Sequence, residues 1–264
     1  MFERNKFIFI AGPCVIENKE LTLEIAEYLK EKLKKYPLNF IFKASFDKAN
    51  RTSIKSFRGL GLEKGLKILK EVKEKLKLTT LTDVHCQNQI PYVKDVVDVI
   101  QIPAFLCRQT DLVLAAAKTG KIINIKKGQF ISPFDVKYIV EKIETTGNKK
   151  IFITERGTCF GYNNLVVDFR SFLIMKKYRY PIIYDATHSL QRPSAQEGIS
   201  GGDSEFILPL SLAAVAVGVD GLFMEVHPNP TKALSDKYTV LKLDKVEEIV
   251  KKVIKVHKVL EENI

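Results

Sequence analysis

Short apolar runs recur along the chain at intervals that suit alternating strands and helices. Eight of them are rich in β-branched and aromatic residues and predict strands. Most are continuously apolar, as expected for parallel strands that helices cover on the outside. The predicted strands are residues 7–12, 39–45, 78–84, 97–103, 122–127, 151–156, 181–187 and 221–227. Segments with helical periodicity lie between them, and a closing helix is predicted over about residues 244–262.

Eight strand–helix units in 264 residues predict one closed (β/α)8 barrel, a TIM barrel of the α/β class. We expect residues 1–264 to form a single catalytic domain. A doubly wound open sheet is the alternative, but it normally carries a GxGxxG turn after the first strand. This chain reads AGPC there.

Charge and hydrophobicity argue against two classes of protein, those that bind nucleic acids and those that associate with membranes. The net charge of +11 raises the possibility of a nucleic-acid-binding protein. Lysines alternate with glutamates along helical faces, however, and no basic block occurs, so we predict no nucleic-acid partner. No apolar stretch approaches the roughly 20 residues that span a bilayer, and the N-terminal run does not resemble a signal peptide. We therefore predict no membrane association and a cytoplasmic location.

Polar side chains collect at one end of the predicted strands. In a barrel the carboxyl ends of the strands form the face that carries the active site. Charges scattered over both ends would indicate a purely structural role, whereas one polar end indicates an enzyme. The polar residues at or just beyond these ends are Cys14, Lys43, Asp83, Gln101, Lys126, Arg156, Asp185, His188 and Glu225.

Barrel closure predicts a metal site. The eighth strand lies beside the first in a closed barrel, so strands seven, eight and one are neighbours. Their ends carry His188, Glu225 and Cys14, and the loop after strand eight supplies Asp236. One thiolate, one imidazole and two carboxylates suit Zn2+, Fe2+ or a similar first-row ion.

Cations at the same end predict binding of anions. Lys126 and Arg156 end neighbouring strands and could hold one phosphate, for which arginine offers a bidentate fork. Lys43 and Lys48, near strand two, could hold a carboxylate. Residues that could bind a second anion are Asn50, Arg51 and Thr52 of the run KANRTS, and Arg108, which lies either above the site or at a subunit contact.

Longer stretches containing these residues occur in a fixed order. They are FIAGPCVIE, FKASFDKANRTS, FRGLGLEKGL, IQIPAFLCRQTDLVLAAAKTG, NIKKGQF, TERGTCFGYNNLVVDFRS, YDATHSLQ and GLFMEVHPNP. Through them the chain resembles the 3-deoxy-D-manno-octulosonate 8-phosphate synthases from about residue 7 to about residue 240. It resembles their metal-dependent class in particular, which carries Cys at position 14 where the metal-independent class carries Asn.

The resemblance implies an activity and a set of site residues. Phosphoenolpyruvate would condense with D-arabinose 5-phosphate and water to give 3-deoxy-D-manno-octulosonate 8-phosphate and inorganic phosphate, for lipopolysaccharide biosynthesis. Implied phosphoenolpyruvate contacts are Lys43, Lys48, Lys126, Arg156 and His188. Implied arabinose 5-phosphate contacts are Asn50, Arg51, Thr52 and, from a neighbouring subunit of a homotetramer, Arg108. Implied ligands of a divalent ion, Zn2+ or Fe2+ before Mn2+ or Co2+, are Cys14, His188, Glu225 and Asp236. Implied catalytic residues are Lys48, His188, Asp236 and Cys14.

One segment departs from the family pattern, and another predicts a mobile element near the site. The family commonly reads TDIHE or TDVHE where this chain reads TDVHC, which puts a polar role for position 86 in doubt. Residues 191–206 are rich in glycine and serine and predict a mobile lid over the site.

Several alternatives stay open. The sister enzyme that makes 3-deoxy-D-arabino-heptulosonate 7-phosphate from erythrose 4-phosphate shares the GPC start, but typically reads KPRTS where this chain has KANRTS. A Schiff-base aldolase could use Lys126 or Lys43. Spacing alone also leaves His85 or His227 open in place of His188 as the imidazole ligand.

Overall fold

Eight parallel strands and eight α-helices build the computed structural model, which describes residue 3, residues 6–196 and residues 199–262. The barrel strands are β1 Phe7–Gly12, β2 Leu38–Lys43, β3 Thr79–Asp83, β4 Val99–Ile102, β5 Ile122–Lys126, β6 Ile151–Glu155, β7 Ile182–Asp185 and β8 Gly221–His227. The helices are α1 Lys19–Leu33, α2 Leu62–Leu76, α3 Ile90–Val93, α4 Thr110–Ala117, α5 Val136–Glu144, α6 Arg170–Lys176, α7 Ile207–Val217 and α8 Val246–Glu261. Every barrel-strand end lies within two residues of its predicted position.

The sheet closes on itself. The strands follow one another in chain order, and β8 pairs in parallel with β1 as well as with β7. In the closing register Gly12 lies opposite Glu225, so the carboxyl ends of the first and last strands meet. The prediction of a (β/α)8 barrel is therefore confirmed, and the open-sheet alternative is wrong.

The barrel interior has an apolar floor with a polar layer above it. Alternate residues of each strand point inward. The floor consists of the buried side chains of Ile8, Ile10, Ile41, Leu81, Val99, Phe152, Ile183 and Phe223. Inward positions nearer the carboxyl ends are buried and polar, namely Lys43, Asp83, Gln101, Asn124, Lys126, Thr154, Asp185 and Glu225. The change from apolar to polar along each strand therefore places the chemistry at one end of the barrel.

The helices cover the outside of the sheet with their apolar faces. The closing helix α8 buries Val246, Ile249, Val250, Val253 and Ile254 against the barrel. Asn18 caps the N-terminus of helix α1, and its side chain accepts a hydrogen bond from the backbone N–H of Leu21 at 2.8 Å. Burial of these faces supplies the main driving force that holds the helical layer in place.

Glycine at position 12 permits the close approach of β1 and β2. A Cβ there would lie 2.0 Å from the carbonyl oxygen of Lys43. We expect Gly12→Ala to lower the free energy of unfolding by about 3 kcal/mol, because backbone atoms must move to relieve the overlap. Denaturant titration measures this change.

Gly120→Ala is the matched control. Gly120 has a φ of +70°, and a Cβ there would meet nothing within 4 Å. Its replacement should cost about 1 kcal/mol, from the left-handed backbone alone. Equal losses in the two variants would contradict the steric explanation for Gly12.

Two small hairpins stand above the carboxyl ends of the strands. Thr158–Cys159 pairs with Leu165–Val166, and Gln191–Gln196 pairs with Ile199–Gly202. The second hairpin occupies most of the segment predicted to be a lid. Residues 197 and 198 of that segment lie outside the described residues, and its mobility stays a prediction.

Among the described residues, each helix is either too short or too polar to cross a lipid bilayer.

Candidate active site

The polar strand ends line a cleft of about 770 Å³ at the carboxyl-terminal mouth of the barrel. Its walls come from the ends of seven of the eight strands, β2 to β8, and from the loops that follow them. The predicted site residues that line it are Lys43, Lys48, Asn50, Arg51, Thr52, Lys126, Arg156, His188, Glu225 and Asp236. Cys14 is buried behind this surface, and Arg108 lies outside the cleft on an exposed loop.

Three predicted metal ligands converge at one side of the cleft. Ligand atoms of Cys14, Glu225 and Asp236 all lie within 4.8 Å of one another. The Cys14 sulfur is 2.9 Å from Asp236 Oδ2 and 2.8 Å from Ser235 Oγ. Barrel closure explains the convergence, because Cys14 follows β1 while Glu225 and Asp236 come from the neighbouring β8 and its loop.

His188 completes the group from the end of β7. Its Nδ1 lies 2.8 Å from Asp185 Oδ2, and its Nε2 lies 3.6 Å from Glu225 Oε2 and 3.9 Å from Asp236 Oδ2. Asp185 Oδ1 also accepts hydrogen bonds from the backbone N–H groups of Thr187 and His188. A carboxylate on Nδ1 orients an imidazole so that Nε2 can bind a cation.

The contacts of the Glu225 carboxylate show whether a cation could bind beside it. Its Oε1 accepts a hydrogen bond from Lys43 Nζ at 2.6 Å and lies 3.6 Å from Lys48 Nζ. Its Oε2 is buried and has no hydrogen-bond partner among the described residues. A buried carboxylate oxygen without a partner is costly, and this one faces His188. The donor atoms therefore suit a divalent ion.

The protonation states of Cys14 and Glu225 determine what a cation must do in order to bind here. Burial raises the pKa of the Cys14 thiol well above its usual value, and the neighbouring Asp236 and Glu225 raise it further. Burial also opposes ionisation of Glu225, but Lys43 and Lys48 outweigh it, so the pKa of Glu225 falls well below its usual value. A cation would have to displace the thiol proton in order to bind sulfur, as it does at other thiolate sites.

Asp236 is held in an uncommon backbone conformation. Its φ is +50°, a left-handed value that aspartate tolerates better than most residues. The carbonyl oxygen of Asp236 accepts hydrogen bonds from the N–H groups of Thr239 and Val240, at 2.8 and 3.0 Å. This turn directs the carboxylate into the cleft, so the strained backbone and the chemistry coincide at one residue.

Gln191 links the ligand group to the cationic side of the cleft. Its side-chain N–H donates to Asp236 Oδ1 at 2.8 Å, and its Oε1 accepts from Arg156 Nη2 at 2.9 Å. The sequence predicts no role for Gln191 beyond the start of the lid. Its place three residues after His188 in THSLQ was the only available signal.

Lys126 and Arg156 form the cationic side, as predicted from neighbouring strand ends. Lys126 Nζ pairs with Asp185 Oδ2 and lies over the Phe223 ring of the floor. Burial lowers the pKa of Lys126 to about 8, although Asp185 opposes the shift. Nη1 of Arg156 is buried and has no hydrogen-bond partner among the described residues. An ammonium and a guanidinium with an unsatisfied N–H thus both line the cleft.

The run KANRTS forms the opposite rim. Lys48, Asn50 and Thr52 line the cleft there. Arg51 donates from Nε to the carbonyl of Phe57 and from Nη2 to that of Leu234, each at 3.1 Å. Arg51 therefore also ties this rim to the loop that carries Asp236.

The two alternative imidazoles are engaged elsewhere. His85 Nε2 lies 3.1 Å from Asp83 Oδ2, and His227 accepts the backbone N–H of Asn229 on Nδ1. His227 Nε2 faces Glu17 at 3.6 Å. Of the imidazoles in the described part of the chain, His188 alone lies within 4 Å of both Glu225 and Asp236.

Comparison with known proteins assigns the chain to a family. The profile of the DAHP synthetase I family matches residues 3–262. Three curated relatives are each called 2-dehydro-3-deoxyphosphooctonate aldolase, another name for 3-deoxy-D-manno-octulosonate 8-phosphate synthase. The protein from Desulfotalea psychrophila is 52% identical over 97% of this chain and 91% of its own length. The protein from Geotalea daltonii is 56% identical over 93% and 90%, and that from Campylobacter jejuni is 52% identical over 98% and 99%.

The profile match extends over almost the whole barrel, and its range, residues 3–262, contains every predicted site residue. The chain therefore belongs to the DAHP synthetase I family and, within it, to the 2-dehydro-3-deoxyphosphooctonate aldolases.

Proposed function

We propose that the chain is a metal-dependent member of this family. It condenses phosphoenolpyruvate with D-arabinose 5-phosphate and water to give 3-deoxy-D-manno-octulosonate 8-phosphate and inorganic phosphate, for lipopolysaccharide biosynthesis. Residues 1–264 act as one catalytic domain in the cytoplasm. The observation that carries the metal-dependent assignment is the convergence of Cys14, Glu225 and Asp236 within 4.8 Å, with His188 facing the two carboxylates.

Cys14, His188, Glu225 and Asp236 would hold the ion, with Zn2+ or Fe2+ preferred over Mn2+ or Co2+. When bound, it supplies Lewis-acid polarisation and orientation of the reacting groups. Mixed sulfur, nitrogen and oxygen donors support a first-row transition ion over Mg2+, because hard ions such as Mg2+ favour oxygen alone.

The other side chains bind and orient the substrates. Lys126 and Arg156 hold the phosphate of phosphoenolpyruvate. Lys43 and Lys48 neutralise the negative charge of its carboxylate. Burial opposes the charge on Lys48, but the neighbouring Cys14 and Glu225 outweigh it and raise the pKa of Lys48 well above its usual value. Lys48 therefore stays cationic throughout the physiological range. Positioning two anionic substrates in a cleft with fixed charges removes much of the entropic and solvation barrier.

Asn50, Arg51 and Thr52 bind the arabinose 5-phosphate on the opposite rim. The name shared by the curated relatives supports this acceptor over erythrose 4-phosphate, as does asparagine in KANRTS.

A phosphate-release assay tests the proposal. Phosphoenolpyruvate is supplied with arabinose 5-phosphate or with erythrose 4-phosphate, each at matched concentration. We expect turnover with the five-carbon aldehyde and little with the four-carbon one. A preference for erythrose 4-phosphate would instead identify the sister activity.

The pKa of Lys126 predicts how phosphoenolpyruvate capture depends on pH. A depressed lysine pKa means that the ammonium is present below about pH 8 and is lost as the pH rises through that value. We expect kcat/KM for phosphoenolpyruvate, which reports the free enzyme, to fall by about tenfold per pH unit above this point. Initial rates between pH 7 and pH 10 measure the profile.

Lys126→Arg is the control, because a guanidinium stays charged over this range. The decline above pH 8 should be absent in that variant. A wild-type profile that is flat to pH 10 would exclude Lys126 as the titrating group.

We also propose that the chain forms a homotetramer in which Arg108 reaches a neighbouring subunit's cleft. Arg108 is exposed and outside its own cleft, in a loop that also exposes the aromatic ring of Phe105. Other large exposed rings on neighbouring loops are Phe130, Phe134 and Phe160. Exposed apolar groups of this size indicate a surface that another chain covers.

Arg108→Ala should raise KM for arabinose 5-phosphate by about twentyfold, because a charge-assisted contact with its phosphate is lost. Light scattering should give the mass of a tetramer for both proteins. A monomeric wild-type protein with full activity would contradict the assignment.

A further inference from the structure

We propose that Lys127 and Glu155, a buried ion pair behind the cleft, position Arg156 for the phosphate of phosphoenolpyruvate. The inference rests on the function proposed above and adds two positioning residues to it.

The pair lies on the opposite side of the barrel wall from the substrate. Alternate residues of a strand point to opposite faces, so Lys126 and Arg156 face the cleft while Lys127 and Glu155 point away from it. Neither member of the pair lines the cleft. Their side chains are 0% and 2% exposed, which leaves solvent and substrate no access to either charge.

Lys127 connects the loop after β5 with the loop after β6. Its ammonium lies 3.4 Å from Glu155 Oε1 and donates to Thr158 Oγ1 at 3.0 Å. It makes two longer hydrogen bonds to the carbonyl oxygens of Gly128 and Ile131, at 3.3 and 3.4 Å. Four oxygen atoms, one from the end of β6 and three from the loops after β5 and β6, therefore surround one ammonium group.

Glu155 holds the backbone on both sides of Arg156. Its Oε1 accepts the backbone N–H of Gly157 at 2.7 Å, and Gly157 has a left-handed φ of +92°. Arg156 lies in the chain between Glu155, which supplies the carboxylate, and Gly157, which supplies the N–H. The direction in which Arg156 leaves the strand thus depends on the same oxygen atom that faces Lys127.

Few other contacts fix the Arg156 side chain. Its Nη2 donates to Gln191, and its Nη1 has no partner among the described residues. A guanidinium with this much freedom binds a phosphate well only if its backbone is held in place, since preorganisation reduces the cost of ordering. Lys127 and Glu155 supply that restraint.

The energetic character of the pair favours a positioning role over a stabilising one. Removing two charges from water costs several kcal/mol per ion, and apolar residues of similar volume are often as stable or more so. Buried apolar side chains, among them Ile125, Ile153 and Phe172, belong to the core formed by β5, β6 and their helices. An ion pair there restricts geometry through directed hydrogen bonds, which an apolar pair would not do.

Glu155→Gln is the central variant, because it keeps the volume and an acceptor for Gly157 but removes the charge that faces Lys127. Lys127→Met and Lys127→Arg complete the series. The matched controls are Asp98→Asn and Lys73→Met. Asp98 pairs with Lys73 at 2.6 Å and accepts the backbone N–H of Thr80 at 3.0 Å, but does so at the other end of the barrel.

We expect Glu155→Gln to raise KM for phosphoenolpyruvate by about tenfold, with kcat and KM for arabinose 5-phosphate changed by less than about twofold. Lys127→Arg should show a smaller rise than Lys127→Met, because it retains the charge. The Asp98 and Lys73 controls should lower the melting temperature without changing either KM. An unchanged KM for phosphoenolpyruvate in Glu155→Gln, or equal rises for both substrates, would overturn the inference.

Arg156→Met separates this inference from the proposed function. A large rise in its KM for phosphoenolpyruvate, together with a normal KM in Glu155→Gln, would reject only the positioning pair. A normal KM in Arg156→Met itself would remove the phosphate-binding role of Arg156, and the inference with it.

Discussion

Stripping the protein with a strong chelator should lower its turnover by about a thousandfold, and a divalent first-row ion should restore it. Such a loss corresponds to about 4 kcal/mol of transition-state stabilisation, within the range that a Lewis acid supplies. Without a cation, Glu225 and Asp236 lie beside a thiol whose pKa burial has raised well above its usual value. The positive charge that the side chains of Cys14, His188, Glu225 and Asp236 would surround is then missing from the cleft.

Metal content provides a second readout that does not depend on turnover. Cys14→Ala should lose the ion, and Cys107→Ala, a matched change at another buried cysteine, should retain it. The added ion should also raise the melting temperature of the wild-type protein, because it binds only the folded state. Full activity in protein shown by elemental analysis to be free of metal would reduce Cys14 to a structural residue.

Lys126→Met should lower kcat/KM for phosphoenolpyruvate by about a thousandfold. The substitution removes one of two buried cations proposed to hold the phosphate, a charge-assisted interaction in a site that excludes most water. It also leaves Asp185, which is fully buried, without its lysine partner. Burial opposes the charge on Asp185, but His188 and Lys126 together outweigh it and lower its pKa, so the loss of Lys126 should also disturb His188.

Lys121→Met, a change near the start of β5, is the control and should leave kcat/KM within about twofold. Borohydride treatment in the presence of substrate distinguishes the phosphate-binding role from a Schiff base at Lys126. We expect no irreversible loss of activity. Covalent trapping on Lys126 would replace the proposed mechanism with that of a Schiff-base aldolase.

The fold could be predicted because its pattern is local and repeated. Each barrel strand is a short apolar run such as residues 151–156, and its neighbours in sequence are helical. Closure needed only the count of eight such units. The short strands at residues 158–159 and 165–166 were missed, since two-residue ladders leave no periodic signal.

The candidate site could be predicted for residues whose chemistry stands out at a strand end, such as Cys14, His188 and Glu225, and for polar residues in the loops that follow, such as Asp236 and Arg51. Gln191 and the Lys127–Glu155 pair were missed, because their roles depend on contacts between different loops. The sequence does not show which loops come into contact. Lys127 beside Lys126 is the clearest case: two adjacent lysines differ only in the face of the strand to which each points.

The apolar floor of the barrel has a consequence for water. Eight hydrocarbon side chains close the interior below the polar layer, so solvent reaches the site only through the mouth. A sugar phosphate seated across that mouth would separate the molecules of water inside from the bulk. The water molecule that the reaction consumes must then already be in the cleft when the sugar phosphate binds. The order in which water and sugar enter the cleft, rather than diffusion of water during the reaction, therefore determines whether that water is available.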